Sequence, residues 1–150
     1  MLKIYNILEK MKFLKEVATL EYEEWADKPE EDKEARIKGK IEKIKIKLKG
    51  KDFCKLILLD DDKLIGFISI FPQDCDECQK LSPWYATMYV KKEYRGQGYS
   101  KILNDAILKE ARKRGYKEIY LKTTLNDYYE KFGAIFVKKI SEEKIYKFEL

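Results

Sequence analysis

The stretch YRGQGYS, residues 94–100, decides how this chain is read. Gly96 and Gly98 stand one residue apart behind Arg95, in a chain that has only seven glycines. A strand-like run, WYATMYV (84–90), ends just before them, and apolar residues at helical spacing begin just after. A plain strand-to-helix connection manages with one glycine or an Asx cap. Two glycines imply a backbone that must come close to something. The first turn of a helix leaves its N–H groups without partners, and the helix dipole adds roughly half a positive charge there. Glycine removes the side chains that would hold a ligand off, and phosphate is the usual guest. Lys91, Lys92, Arg95 and Lys101 agree with an anion. No Gly-Lys-Ser/Thr follows, so this is not a P-loop. No third glycine completes GxGxxG. Taken alone, the glycine pair leaves a structural turn and an anion site equally open.

Working outward, residues 2–8 (LKIYNIL) read as a first strand. Met11, Leu14, Ala18, Tyr22 and Trp25 recur at helical spacing over residues 9–25. ADKPEED then restarts a helix, with Pro29 suited to its first turn and Glu30, Glu31 and Asp32 suited to its positive end. Ile37, Ile41, Ile44 and Leu48 form its apolar stripe, and Gly50 stops it. Residues 53–59 and 64–71 read as a hairpin about Asp60–Asp62. A loop leads to the strand at 84–90. The helix at 100–114 carries Ile102, Leu103, Ala106, Ile107 and Ala111 on one face and ends at Gly115. A strand at 118–124, a short helix at 126–133 and closing strands at 134–140 and 144–150 complete the order β–α–α–β–β–β–α–β–α–β–β. The pattern predicts one mixed α/β sheet with helices packed on it.

Bulk properties narrow the function classes. A chain of 150 residues has the size of one domain, here residues 1–150, and 45% apolar content is enough for a core. The net charge of +5, from 32 basic and 27 acidic residues, favours an anionic partner only weakly. No basic run is interleaved with aromatics as in strand-tracking nucleic-acid binders, and no apolar run approaches a membrane span. No signal peptide opens the chain, so the expected location is cytoplasmic. Cys54, Cys75 and Cys78 are the three cysteines, and histidine is absent. CDEC (75–78) has CxxC spacing, yet a zinc site would have only Cys54 as a further soft ligand, and the redox motif belongs at a helix N-terminus. The expectation is two ordinary thiols and no metal.

YVKKEYRGQGYSKIL followed by NDYYEKFGA resembles the GNAT superfamily of N-acetyltransferases. The family's phosphate-binding motif, Gln/Arg–x–x–Gly–x–Gly/Ala, falls on Arg95, Gly98 and Ser100, with serine replacing the last small residue. Asn126 and YYEKFG match its later motif. The resemblance implies a single, mostly antiparallel mixed sheet flanked by helices on both faces, and acetyl-CoA as donor. It would set the pyrophosphate on the N–H groups of Gln97, Gly98, Tyr99 and Ser100, with Arg95 and Gly96 also at the cofactor. The pantetheine would lie along Met88, Tyr89 and Val90, with Asn126 reaching that arm.

Acetyl transfer to a primary amine needs a deprotonated nucleophile and a donor for the departing thiolate. The resemblance puts Tyr129 in the donor's place, with Tyr128 as its packing neighbour; a register shift of one would exchange them. Without histidine, carboxylates or water must serve the amine. Glu23 and Glu24 beside Trp25, or Asp74, Asp76 and Glu77 before the central strand, could hold a cationic amine, against the plain alternative of surface charge. Thr87 and Tyr89 could line a water path. The acceptor itself stays open among a small amine, an antibiotic, an amino acid and a protein amino terminus or lysine, in a monomer or homodimer. Two other classes remain: a catalytically silent acyl-CoA sensor, and a basic module for RNA or a protein tail.

Overall fold

The computed structural model describes residues 1–26 and 32–150. Its elements in chain order are β1 (Leu2–Asn6), α1 (Leu14–Trp25), α2 (Lys33–Leu48), β2 (Cys54–Asp60), β3 (Lys63–Phe71), β4 (Trp84–Val90), α3 (Tyr99–Lys113), β5 (Glu118–Thr123), β6 (Ile135–Ile140) and β7 (Glu143–Glu149). The strands form one sheet in the order β1-β2-β3-β4-β5-β7-β6. Every neighbouring pair is antiparallel except β4 and β5.

The faces follow from strand alternation. Cys54, Leu56 and Leu58 of β2 join Leu103, Ile107 and Ala111 of α3 in one core. Ile57 and Leu59 join Leu14, Val17 and Ala18 of α1 and Ile44 and Leu48 of α2 in another. A strand covered on both faces must be apolar on both, which is why β2 and β3 read as hydrophobic runs, broken in their buried parts only by Lys55 and Ser69. Helices thus flank the sheet on both sides, as expected.

Several boundaries differ from the sequence reading. The first strand ends at Asn6, because Asn6 Oδ1 accepts from the Leu8 N–H while Glu9 Oε1 accepts from the Asn6 N–H. That capping box turns the chain into two 3₁₀ turns, Ile7–Glu9 and Met11–Phe13, so the first helix begins at Leu14 and Met11 stays outside its buried stripe. Pro29, Glu30 and Glu31 lie outside the described residues. The segment expected as a short helix at 126–133 holds only a 3₁₀ turn, Tyr129–Phe132, closed by Gly133 at φ 97°.

Two features of the central strands open a space in the sheet. Between Phe67 and Ser69 the β3–β4 register shifts, leaving a bulge on β4 where Thr87 takes a left-handed conformation, φ 50°. Nearby, Gly66 is packed so closely that an added Cβ would lie 2.3 Å from the Tyr89 carbonyl oxygen. On its other side β4 meets β5 at one register pair, Trp84 opposite Tyr120, with the Tyr120 N–H donating to the Pro83 carbonyl at 3.0 Å. Beyond that pair the two parallel strands part, and the sheet opens between them.

Candidate active site

The turn at residues 94–100 sits at the end of β4. Gly98 is the N-cap of α3 at φ 85°, and Gly96 has φ 77°. A Cβ on either would meet nothing within 4 Å. Backbone conformation demands glycine here, and the space in front stays clear. Among the described residues none accepts a hydrogen bond from the N–H groups of Gly96, Gln97 or Gly98. An open cradle of free donors at the start of a fifteen-residue helix suits a phosphate group. The basic residues around it are largely engaged. Arg95 Nε donates to the Val90 carbonyl at 2.8 Å, and its guanidinium lies over the Tyr89 ring. Lys91 pairs with Glu16, and Lys101 with Asp105. The cradle therefore offers mainly backbone donors.

A cavity of about 500 Å³ opens where β4 and β5 part. Ala86, Thr87 and Met88 line it from β4, Leu121 and Lys122 from β5, and Tyr129 from the 3₁₀ turn. Tyr129 packs edge-on against Tyr85 and Tyr128, with ring centroids 5.8 and 4.8 Å away. Burial, with Tyr128 adding to it, pushes its phenol up to about 12, so it holds its proton at neutral pH. The Tyr128 hydroxyl instead reaches toward Ser100 Oγ at 3.4 Å and is absent from the cavity wall.

The floor of the cavity is a buried polar cluster that the sequence reading missed. Lys55 of β2 is 1% exposed, and its Nζ donates to Ser69 Oγ at 2.6 Å and to Thr87 Oγ1 at 3.4 Å. The two hydroxyls are themselves 2.6 Å apart. Glu21 of α1 is 4% exposed, with Oε2 3.0 Å from the same Nζ. That oxygen is close enough for an ion pair but is not aligned as a hydrogen bond, so it is a buried acceptor without one. Burial lowers the Lys55 ammonium from its ordinary range, and Glu21 opposes that pull. Both residues left a trace in the sequence. Glu21 falls on the 14–17–18–21–22 stripe of α1, and Lys55 interrupts a strand that is apolar on both faces.

The other expected site residues separate. Asp74 lines the cavity, and burial raises its carboxyl while Lys122 opposes this. Asp76 is exposed in the 3₁₀ turn Asp76–Cys78, away from the cavity wall. Glu23 and Glu24 line a separate shallow groove with Tyr89, Lys91 and Lys92, and Glu23 pairs with Lys33 at 3.0 Å. Tyr89 stacks on Phe67 and is largely buried, so of the two residues expected near a water path only Thr87 lines the cavity. Asn126 is exposed, and its amide oxygen accepts from Lys144 of β7. Cys78 packs with Trp84, Tyr120 and Ile145, and burial raises its thiol. Among the described residues no group of three histidine, cysteine or carboxylate side chains could hold a metal, and no helix is long and apolar enough to cross a membrane.

Comparison with known proteins bears on this geometry. The sequence matches the Acetyltransferase (GNAT) family over residues 4–134. It is 34% identical over 89 residues to N-alpha-acetyltransferase 30 of Schizosaccharomyces pombe, a match covering 56% of this chain and 59% of that protein's length. Among solved structures, the PaiA N-acetyltransferase of Thermoplasma acidophilum in complex with coenzyme A aligns over 100% of this chain and 99% of its own, with TM-score 0.68 and 22% identity. An N-acetyltransferase of Staphylococcus aureus Mu50 aligns over 99% and 98%, with TM-score 0.73 and 14% identity. An aminoglycoside 6'-acetyltransferase type Ii aligns over 99% and 96%, with TM-score 0.66 and 18% identity. These structures share the fold, and the family match spans most of the chain, glycine turn and parted strands included: the protein belongs to the GNAT acetyltransferase family.

Proposed function

We propose that this chain transfers the acetyl group of acetyl-CoA to a primary amine by direct attack, with Tyr129 as hydrogen-bond donor to the departing sulfur. The observation that carries the reading is the placement of a protonated phenol on the wall of the cavity between β4 and β5, beside the Thr87 bulge. The free N–H groups of Gly96, Gln97 and Gly98 are suited to the pyrophosphate. The edge of β4 at Met88–Val90, unpaired beyond Trp84, is suited to the amides of the pantetheine. Asn126 would serve that arm only by releasing Lys144. Similarity to an N-alpha-acetyltransferase, that of Schizosaccharomyces pombe, supports an amine at a chain terminus as acceptor.

In the reaction the amine lone pair forms the C–N bond as the C–S bond breaks, the sulfur leaves as thiolate, and the nitrogen loses one proton. A phenol near 12 facing a thiol near 8.5 gives up its proton only uphill, by about 5 kcal/mol. Tyr129 therefore acts chiefly by donating a hydrogen bond to the charge that grows on sulfur, and burial keeps it in the form that can donate. Tyr129→Phe should lower kcat by about 100-fold or more and leave acetyl-CoA affinity within about two-fold. Thiol release from acetyl-CoA with a peptide bearing a free amino terminus measures the first, and calorimetric titration the second. Unchanged kcat removes Tyr129 from the chemistry. A folded protein that does not bind acetyl-CoA refutes the reading altogether.

A further inference from the structure

The charge on the cavity wall is opposite to what the acidic segments EYEEW and DCDE suggest. Five lysines, Lys40, Lys43, Lys47, Lys55 and Lys122, line the cavity, against three carboxylates, Glu21, Asp74 and Glu143. Lys40, Lys43 and Lys47 follow each other at three and four residues, so α2 presents them on one face. Glu21 is already engaged by Lys55 at 3.0 Å and Lys40 at 3.7 Å. Among the described residues Lys43, Lys47 and Lys122 make no ion pair. Lys47 instead lies over the rings of Phe53 and Phe71, at 5.9 and 5.3 Å. The titratable groups facing these lysines from the packed elements are Glu21, Asp74, Glu143, Tyr85 and Tyr129. Burial raises Asp74 and both phenols, and it lowers Lys55, whose partner Glu21 opposes that pull. With Lys55 and Lys40 set against Glu21, the positive surplus rests on Lys43, Lys47 and Lys122, which face Asp74 and Glu143.

We infer that the acceptor carries a carboxylate close to its reacting amine, as an acidic amino acid or the acidic amino terminus of a peptide does, and that the unpaired lysines of α2 and β5 receive that carboxylate. The inference rests on the acetyl-transfer reading and names its substrate class. Charge complementarity is the first support. A cavity lined by like-signed side chains attracts counter-charge and penalises a cationic acceptor. The second support is chemical. A primary amine entering among ammonium groups meets like charges, which disfavour its own protonated form. The lysine wall thus helps supply the neutral nucleophile in a chain that has no histidine to act as base. The substrate's carboxylate would compensate the wall and hold the amine beside Thr87.

The test is thiol release from acetyl-CoA by the full chain, with free aspartate, spermidine, and tripeptide amides Xaa-Ala-Ala in which Xaa is Asp, Asn or Lys. The expected order of kcat/KM among peptides is Asp over Asn over Lys, with at least tenfold between the ends. The two aspartate arms distinguish a small acid from a peptide terminus. Raising ionic strength should narrow the ratio. Lys43→Gln with Lys47→Gln should narrow it through the KM of the Asp peptide, with acetyl-CoA affinity unchanged as the check on folding. Equal rates across the series, or preference for the Lys peptide or spermidine, would overturn the inference and leave acetyl transfer standing. No release in any arm would overturn both.

Discussion

The parts of this protein proposed to hold the donor and the acceptor are built in different ways. The donor cradle is local: strand end, two glycines and helix start lie within residues 90–100, and its chemistry comes from backbone N–H groups. The acceptor cavity is assembled from α1, α2, the strands β2 to β5, the Tyr129 turn and β7, and its chemistry comes from side chains that meet only after folding. A local motif can be read along the chain. A convergent one cannot, because strand alternation and helix phase decide which residues face inward, and small errors of phase reverse the answer.

If the acceptor side depends on folding in this way, damage to its floor should cost the most. Lys55→Met should destabilise the fold by about 3–5 kcal/mol, because it leaves the Glu21 carboxylate buried with only Lys40 at 3.7 Å. Pairing it with Glu21→Leu should restore much of the loss, since removing both charges avoids the desolvation cost that each imposes alone. Chemical denaturation of the two single variants and the double variant measures this. If Lys55→Met alone is neutral, the cluster is not an obligatory part of the fold. Its charges would then be held by something other than each other.

A smaller effect, felt chiefly in ligand binding, is expected at the donor cradle. Gly98→Val must hold a β-branched residue at φ 85°, where the strain is about 1–3 kcal/mol, and it puts methyl groups into space that is now clear. Acetyl-CoA affinity should fall by about tenfold or more, while the rest of α3 keeps its packing through Leu103, Ile107 and Ala111. Calorimetric titration of coenzyme A into folded Gly98→Val provides the measurement. Unchanged affinity would mean that the cradle does not hold the phosphates.

What the sequence made legible divides along the same line. The sheet and its helices were readable because apolar spacing is strong in α2, α3 and the β2–β3 hairpin. The first helix was placed five residues early, because a capping box at Asn6 and Glu9 competes with helix propagation and periodicity does not register it. The glycine turn was readable because glycine has few other reasons to recur there. Glu21 and Lys55 were passed over because charged residues are assumed to be solvated. The informative signal was their position on stripes that must be buried. Lys40, Lys43 and Lys47 lie off the apolar stripe of α2, where spacing alone implies solvent, and only the fold shows that this face borders a cavity.

The smallest effect should come from the acidic pair that the sequence made prominent. Glu23 and Glu24 lie in the shallow groove beside Tyr89 and Lys91, outside the cavity between β4 and β5. Glu23 holds Lys33 at 3.0 Å with both side chains about half exposed, and such a pair contributes at most about 1 kcal/mol. Glu23→Gln and Glu24→Gln should therefore leave stability within that margin and change neither the acceptor KM nor the acetyl-CoA KM by more than about twofold. Asp74→Asn is the internal contrast, since Asp74 lines the cavity and faces Lys122 and Lys47. Removing its charge makes the wall more positive and should lower the KM of an anionic acceptor, the opposite of what an acid that captures a cationic amine would do. Steady-state kinetics with the Asp-Ala-Ala amide at two salt concentrations separates the cases. A raised acceptor KM in either glutamate variant, with Asp74→Asn silent, would move the acceptor from the β4–β5 cavity to the groove at the end of α1.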